Sequence, residues 1–217
     1  MPAPEVAPVH THAETAKTLG HVNLMVDTLI ANATIDEQVP VISAAALRAI
    51  TRNLLATGTP SLAAAFTAAA RSRLRQTSAR RIATTNGLFT TSHNGIHAIP
   101  TQELDNALAR ARSLYGAGMG FASLGILSSI VKATVGLRWE EDGAMADVLA
   151  IIDADISQAM QSCKEELEGG RVSDTAIPQE AIGNLWSDIG ESARDVEIWG
   201  GEFPFDRASN SIECWKF

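Results

Sequence analysis

The sequence predicts a mainly α-helical single domain: a bundle of about six or seven helices with one small β-hairpin, an N-terminal arm and an irregular aromatic C-terminal tail. Three observations predict it. Apolar residues recur at three- and four-residue intervals along most of the chain, only residues 88 to 99 read as strands bounded by turn signals, and 217 residues with 46% apolar and 19% charged side chains suffice for one substantial core. The expected boundaries are an extended arm over 1–10, a helical domain over 11–198 and a tail over 199–217.

The arm carries Pro2, Pro4 and Pro8 and no apolar period. Thr11 and Glu14 then stand at the capping-box spacing, and Leu19, Val22, Val26 and Leu29 repeat at helical intervals. A second helix is written by Leu47, Ile50 and Leu54 and stops near Gly58. The third opens with Thr59 as cap and Pro60 at the first helical position, where its missing N–H costs nothing. Leu62, Phe66 and Ala69 make its expected apolar stripe, and it runs into Arg71, Arg73, Arg75, Arg80 and Arg81, five arginines in eleven residues without an acid.

Leu88 to His93, Asn94-Gly95 and Ile96 to Ile99 predict a two-residue-loop hairpin, because Asn-Gly accepts the positive φ of a type I′ turn. Residues whose numbers sum to 189 should pair, setting His97 opposite Ser92 and His93 opposite Ile96. Beyond Pro100, Thr101 is placed to cap a helix striped by Leu104, Leu108, Ala111 and Tyr115, which Gly116, Gly118 and Gly120 weaken or kink. Phe121 to Leu137 is apolar on nearly every face, as a central buried helix is. An acidic turn at 140–143 leads into a long helix carrying Met145, Leu149, Ile152, Ile156, Ala159 and Cys163, ended by Gly169-Gly170. A last clear helix carries Ile182, Leu185, Trp186, Ile189, Ala193 and Val196. In the tail, Gly200, Gly201 and Pro204 oppose helix, while Trp199, Phe203, Phe205, Trp215 and Phe217 concentrate large rings that must be covered.

Formal charge is −8 overall, but residues 1–112 carry net +3 and the rest net −11. That division argues against non-specific polyanion binding by the whole surface and leaves room for a basic patch in the first half. Two cysteines, Cys163 and Cys214, and an opening without a basic and then apolar leader predict a cytoplasmic, reducing setting rather than secretion.

The arginines are the first candidate for chemistry, since clustered guanidinium groups bind phosphate oxygens and displace counterions from nucleic acid. Counting around the helix from Leu62, Arg71 and Arg75 face away from the stripe while Arg73 and Arg80 return to it. Either the helix breaks near Thr77-Ser78, or some arginines are buried against acids of the second half.

His93 and His97 have the spacing of a shared metal site on a helix, but the intervening Asn-Gly turns them to opposite faces and no third ligand is near, so no metal is expected. Gly116, Gly118 and Gly120 lack the strand context and full spacing of a dinucleotide loop, so no cofactor is implied. Glycines, serines and Lys132 dilute Leu114–Leu137 as a membrane span. Asp153 and Asp155 read as the polar side of the long helix, and no nucleophile motif occurs.

Two functional readings follow. The leading one is a non-enzymatic assembly or binding protein, a homo-oligomer in which Trp199, Phe203, Phe205, Trp215 and Phe217 dock a partner and Arg71 to Arg81 hold RNA or another polyanion, as in a nucleocapsid-like subunit. The alternative is a helical enzyme or small-ligand binder with a pocket between the hairpin and the central apolar helix, using His93 or His97.

Overall fold

A computed structural model of the chain describes residues 44–80, 87–92 and 95–215. The expected arm, the helix beginning at Thr11, and Arg81, His93 and Phe217 lie outside the described residues. Among those described, the chain is mainly helical with one two-stranded antiparallel hairpin. In chain order the elements are α1 (Ala44–Thr57), α2 (Pro60–Arg80), β1 (Phe89–Thr91), β2 (Ala98–Pro100), α3 (Gln102–Gly116), α4 (Gly120–Lys132), α5 (Ala144–Glu168), α6 (Ala176–Trp199) and α7 (Asp206–Glu213).

The core is built around α4, which packs against α6, α3 and α5. Phe121, Leu124, Leu127, Ile130 and Val131 are buried, and only a narrow line through Ala122, Gly125 and Lys132 is exposed. The helix ends sooner than its apolar run, at Lys132, and a turn through Gly136, with φ +83°, completes the segment to Leu137. The junction between α3 and α4 depends on two glycines. Gly118 has φ +71°, and a Cβ on Gly120 would stand 2.4 Å from the backbone nitrogen of Cys163. The glycines therefore let α4 start directly against the backbone of α5.

The predicted stripe of α5 is buried throughout, from Met145 to Cys163. Asp153 and Asp155 do not lie on its solvent side, however; they are 6% and 7% exposed. Asp155 accepts two hydrogen bonds from Arg112 Nε and one from Nη2 at 2.7 Å, and the Tyr115 hydroxyl donates to it at 2.8 Å. Burial, then the Asp155 charge, pushes the Tyr115 hydroxyl well above its usual range. Asp153 Oδ1 accepts the Ala208 N–H at 2.8 Å in the first turn of α7. Both carboxylates are therefore structural partners of neighbouring helices.

The hairpin has the expected register, Phe89↔Pro100, Thr90↔Ile99 and Thr91↔Ala98, continued by Ser92 N–H donating to His97 O at 2.7 Å. Thr101 does not cap α3 with its side chain. Its hydroxyl donates to Gly87 O at 2.6 Å and so fastens the hairpin entrance to the helix start.

The tail is irregular only through residue 205; an eight-residue helix, α7, then buries Ala208 and Ile212 on the body. Trp199 closes α6, with Gly200 as its left-handed cap at φ +76°. Trp186, expected on the buried stripe of α6, is instead 44% exposed, while Ile182, Leu185, Ile189 and Val196 form that stripe.

Gly120→Ala should cost about 3 kcal/mol in urea unfolding because backbone must move. Gly125→Ala, where a Cβ meets nothing within 4 Å, should gain about 0.5–1 kcal/mol. At Asp153, burial outweighs the hydrogen bonds from Ala208 and Arg207 and raises the carboxyl above its usual range. The folded chain then holds this proton more tightly than the unfolded one. Its contribution is full below pH of about 4 and falls as pH rises through the raised folded value. Asp153→Asn, which retains an acceptor for Ala208, should flatten that slope, whereas Asp153→Ala should cost about 1–3 kcal/mol at every pH.

Candidate polyanion-binding face

Helix α2 is held to the body over about two turns. Ala70 and Leu74 are buried in the core cluster, with Phe66 packed beside them, and the Arg71 Nε–H donates to the Ala117 carbonyl at 2.5 Å, at the end of α3. Leu62 and Ala69, expected to be buried, are exposed, and the inward line runs instead through Ala63, Phe66, Ala70 and Leu74. The cause is compositional: seven of the 21 residues of α2 are alanine, so its faces differ little in hydrophobicity and the helix is oriented by the few large side chains that meet the body.

That rotation decides where the arginines go. Helix α2 continues unbroken through Thr77-Ser78 to Arg80. Arg73 and Arg75 are exposed, Arg71 is half-buried, and Arg80 lies at the helix end. Among the described residues, no carboxylate lies within ion-pair distance of Arg71, Arg73 or Arg75. Three of the less exposed acids of the second half pair with other cations: Asp155 with Arg112, Asp188 with Lys132 and also the Ser128 hydroxyl, and Asp195 with Arg138. Burial lowers the Arg71 pKa, and Arg171 and Arg75 lower it further against the opposing charge of Glu166.

Two features escaped the sequence reading. Arg171, just beyond the end of α5, brings its guanidinium to Gly118 beside Arg71, a neighbour a hundred positions away in the chain that no local pattern announces. The acid-free stretch is also far longer than residues 71–81: it runs from Gln38 to Gln102 and contains seven arginines. That signal was available in the sequence, and it includes Arg48 and Arg52 of α1.

The described tail aromatics make contacts within their own chain. Trp199 meets Trp139 edge-on at 5.0 Å with Arg138 over its ring, Phe203 meets Phe205 at 5.9 Å, and Trp215 meets Phe121 at 6.4 Å. Phe205 is fully buried. These rings cover the ends of α4 and α5.

His97 pairs through Nδ1 with Glu140 Oε1 at 3.1 Å, beside a cavity of about 120 Å³ lined by the hairpin and the start of α5. The central helix α4 does not line it. A second, open cleft of about 320 Å³ lies between α5 and α7, bordered by Ser157, Lys164 and Cys214. Among the described residues, no three His, Cys, Asp or Glu side chains are grouped to hold a metal ion, and no helix is long and apolar enough to cross a membrane. The chain matches no protein-family model, no curated protein and no solved structure.

If Arg73 and Arg75 have no structural duty, Arg73→Ala and Arg75→Ala should each change unfolding stability by no more than about 0.5 kcal/mol. Arg71→Ala, which removes the bond to Ala117 and a half-buried side chain, should cost about 1–2 kcal/mol. Denaturant titration of the three variants checks the contrast.

Proposed function

We propose that the protein is a non-enzymatic helical assembly protein that self-associates and binds RNA or another polyanion along α2, in the manner of a nucleocapsid subunit. The observation that carries this reading is the separation of charge. Residues 38–102 hold seven arginines and no acid, net +7, while residues 103–217 hold net −11. The body satisfies its buried acids with its own cations and backbone, as Asp155 with Arg112 and Asp195 with Arg138 exemplify. The exposed Arg73 and Arg75 are therefore free of internal counter-ions among the described residues, which leaves a positive helix for phosphate chains.

Self-association is supported by α1 and the start of α2. Leu47, Ile50, Leu54 and Leu62 are 44–56% exposed, and among the described residues α1 packs through Leu55 against Ala63 and Phe66. An apolar face of this size on α1 and the start of α2 fits a second copy of the chain, whose acidic body complements the basic charge around it. This interface takes over the role first expected of the aromatic tail.

The hairpin cavity gives the small-ligand alternative less support. At about 120 Å³ it falls below the roughly 300–1,000 Å³ of pockets that enclose such ligands.

Fluorescence anisotropy with a labelled single-stranded RNA should show binding that weakens steeply with salt. Arg73→Gln with Arg75→Gln should lower affinity similarly across sequences and reduce the log–log salt slope by about 0.7 per lost contact. Light scattering should give an oligomer for the full chain and a smaller mass for Ile50→Ser with Leu54→Ser. A monomer at all concentrations, together with no salt-dependent RNA binding, removes the proposal.

A further inference from the structure

The geometry points to a built seat for one phosphate group, formed by the guanidinium groups of Arg71 and Arg171 over Gly118. The assignment rests on the polyanion reading only for the source of the phosphate. Gly118 lies in the three-residue link between α3 and α4. A Cβ placed there would be 2.9 Å from Arg71 Nη2 and 3.4 Å from Arg171 Nη2. The two nitrogens are therefore no more than about 6 Å apart, a span that the oxygens of one phosphate bridge with two charge-assisted hydrogen bonds.

Several features make this a seat and not a chance meeting of long side chains. Arg71 is fixed at its inner end by the Nε–H bond to Ala117 O at 2.5 Å, which leaves its outer nitrogens to face Arg171. Arg171 follows the Gly169-Gly170 end of α5, and its guanidinium lies folded over Gly169, so both partners converge from structured backbone. Gly118 has no side chain to occupy the gap, and its φ of +71° disfavours any residue that would.

The charges do not balance internally. Arg71 feels Arg171 and Arg75 against the single carboxylate of Glu166, whose Oε2 already accepts the Phe121 N–H at 3.3 Å. Two guanidinium groups facing each other across a glycine, one of them half-buried, repel, and a dianion between them turns that repulsion into attraction. Arg71 thereby supplies a fixed point from which a phosphodiester chain continues along the exposed Arg75 and Arg73. The shared chemistry is a phosphate, whether in a nucleic acid or free in solution.

The test is a titration of the full ¹⁵N-labelled chain with inorganic pyrophosphate, followed by the arginine Nε–H resonances, and then competition with a short single-stranded RNA. Saturable shifts of Arg71 and Arg171 are expected. Arg171→Gln, an exposed substitution, should weaken binding about tenfold or more, and Arg194→Gln, an equal loss of charge on α6, should leave the pyrophosphate affinity unchanged. Arg171→Lys, which keeps the charge but not the fork, should fall between. An unsaturable response, or equal affinity in Arg171→Gln, overturns the seat. RNA binding that persists through Arg73 and Arg75 while Arg71 and Arg171 stay silent also overturns it and leaves the polyanion reading standing. Saturation by pyrophosphate without competition by RNA upholds the seat and removes the nucleic acid as its source.

Discussion

The close approach of Gly120 to the backbone of Cys163 is the constraint on which the rest of the structure depends. It lets α4 lie against α5 without an intervening side-chain layer, and α3 and α6 then close on its remaining apolar faces. Polar groups inside this clasp are matched to one another: Ser162 donates to Tyr115 O, Ser123 to Gly120 O, and the Thr134 and Ser192 hydroxyls meet at 3.2 Å. A buried helix with three hydroxyls on it would be costly if any were unpaired. On α4 itself, Ser123 bonds within its own helix, while the Ser128 hydroxyl donates to Asp188 of α6 and so favours one rotation of α4 against that helix.

Charge is distributed by the same logic. The acids nearest the core are consumed locally: Asp155 by Arg112 and Tyr115, Asp195 by Arg138 and the Gly136 N–H, Asp153 by the first turn of α7. Among the described residues, α2 is joined to this body by Phe66, Ala70, Leu74 and the Arg71 guanidinium. An acid-free helix with exposed Arg73 and Arg75 thus rests on an acidic body. The aromatic tail has the opposite character. Its rings seal the ends of α4 and α5, with Lys164 stacked over Trp215 as Arg138 is over Trp199.

Legibility in the sequence followed the range of the interactions. The hairpin register was readable because Asn94-Gly95 sets it within a few residues, and the stripe of α5 because large apolar side chains mark its period without ambiguity. Helix α2 was readable as a helix, from Thr59 and Pro60, but not in its rotation, because alanine on every face leaves no contrast to read. Asp153 and Asp155 looked solvated for a related reason: periodicity separates polar from apolar residues along one helix, but does not register that α3 and α7 will cover the polar side.

The sequence by itself determined the helical class, the turn and its register, the helix that must be buried, and the separation of basic from acidic regions, since each is written in nearest-neighbour chemistry or in composition. Only the tertiary structure decided how Arg71, Arg73 and Arg75 are exposed, that Arg171 joins Arg71 over Gly118, and that the described tail rings pack on their own chain. Those outcomes depend on how whole helices are rotated and stacked, a balance of packing over many side chains that no local stretch of sequence contains.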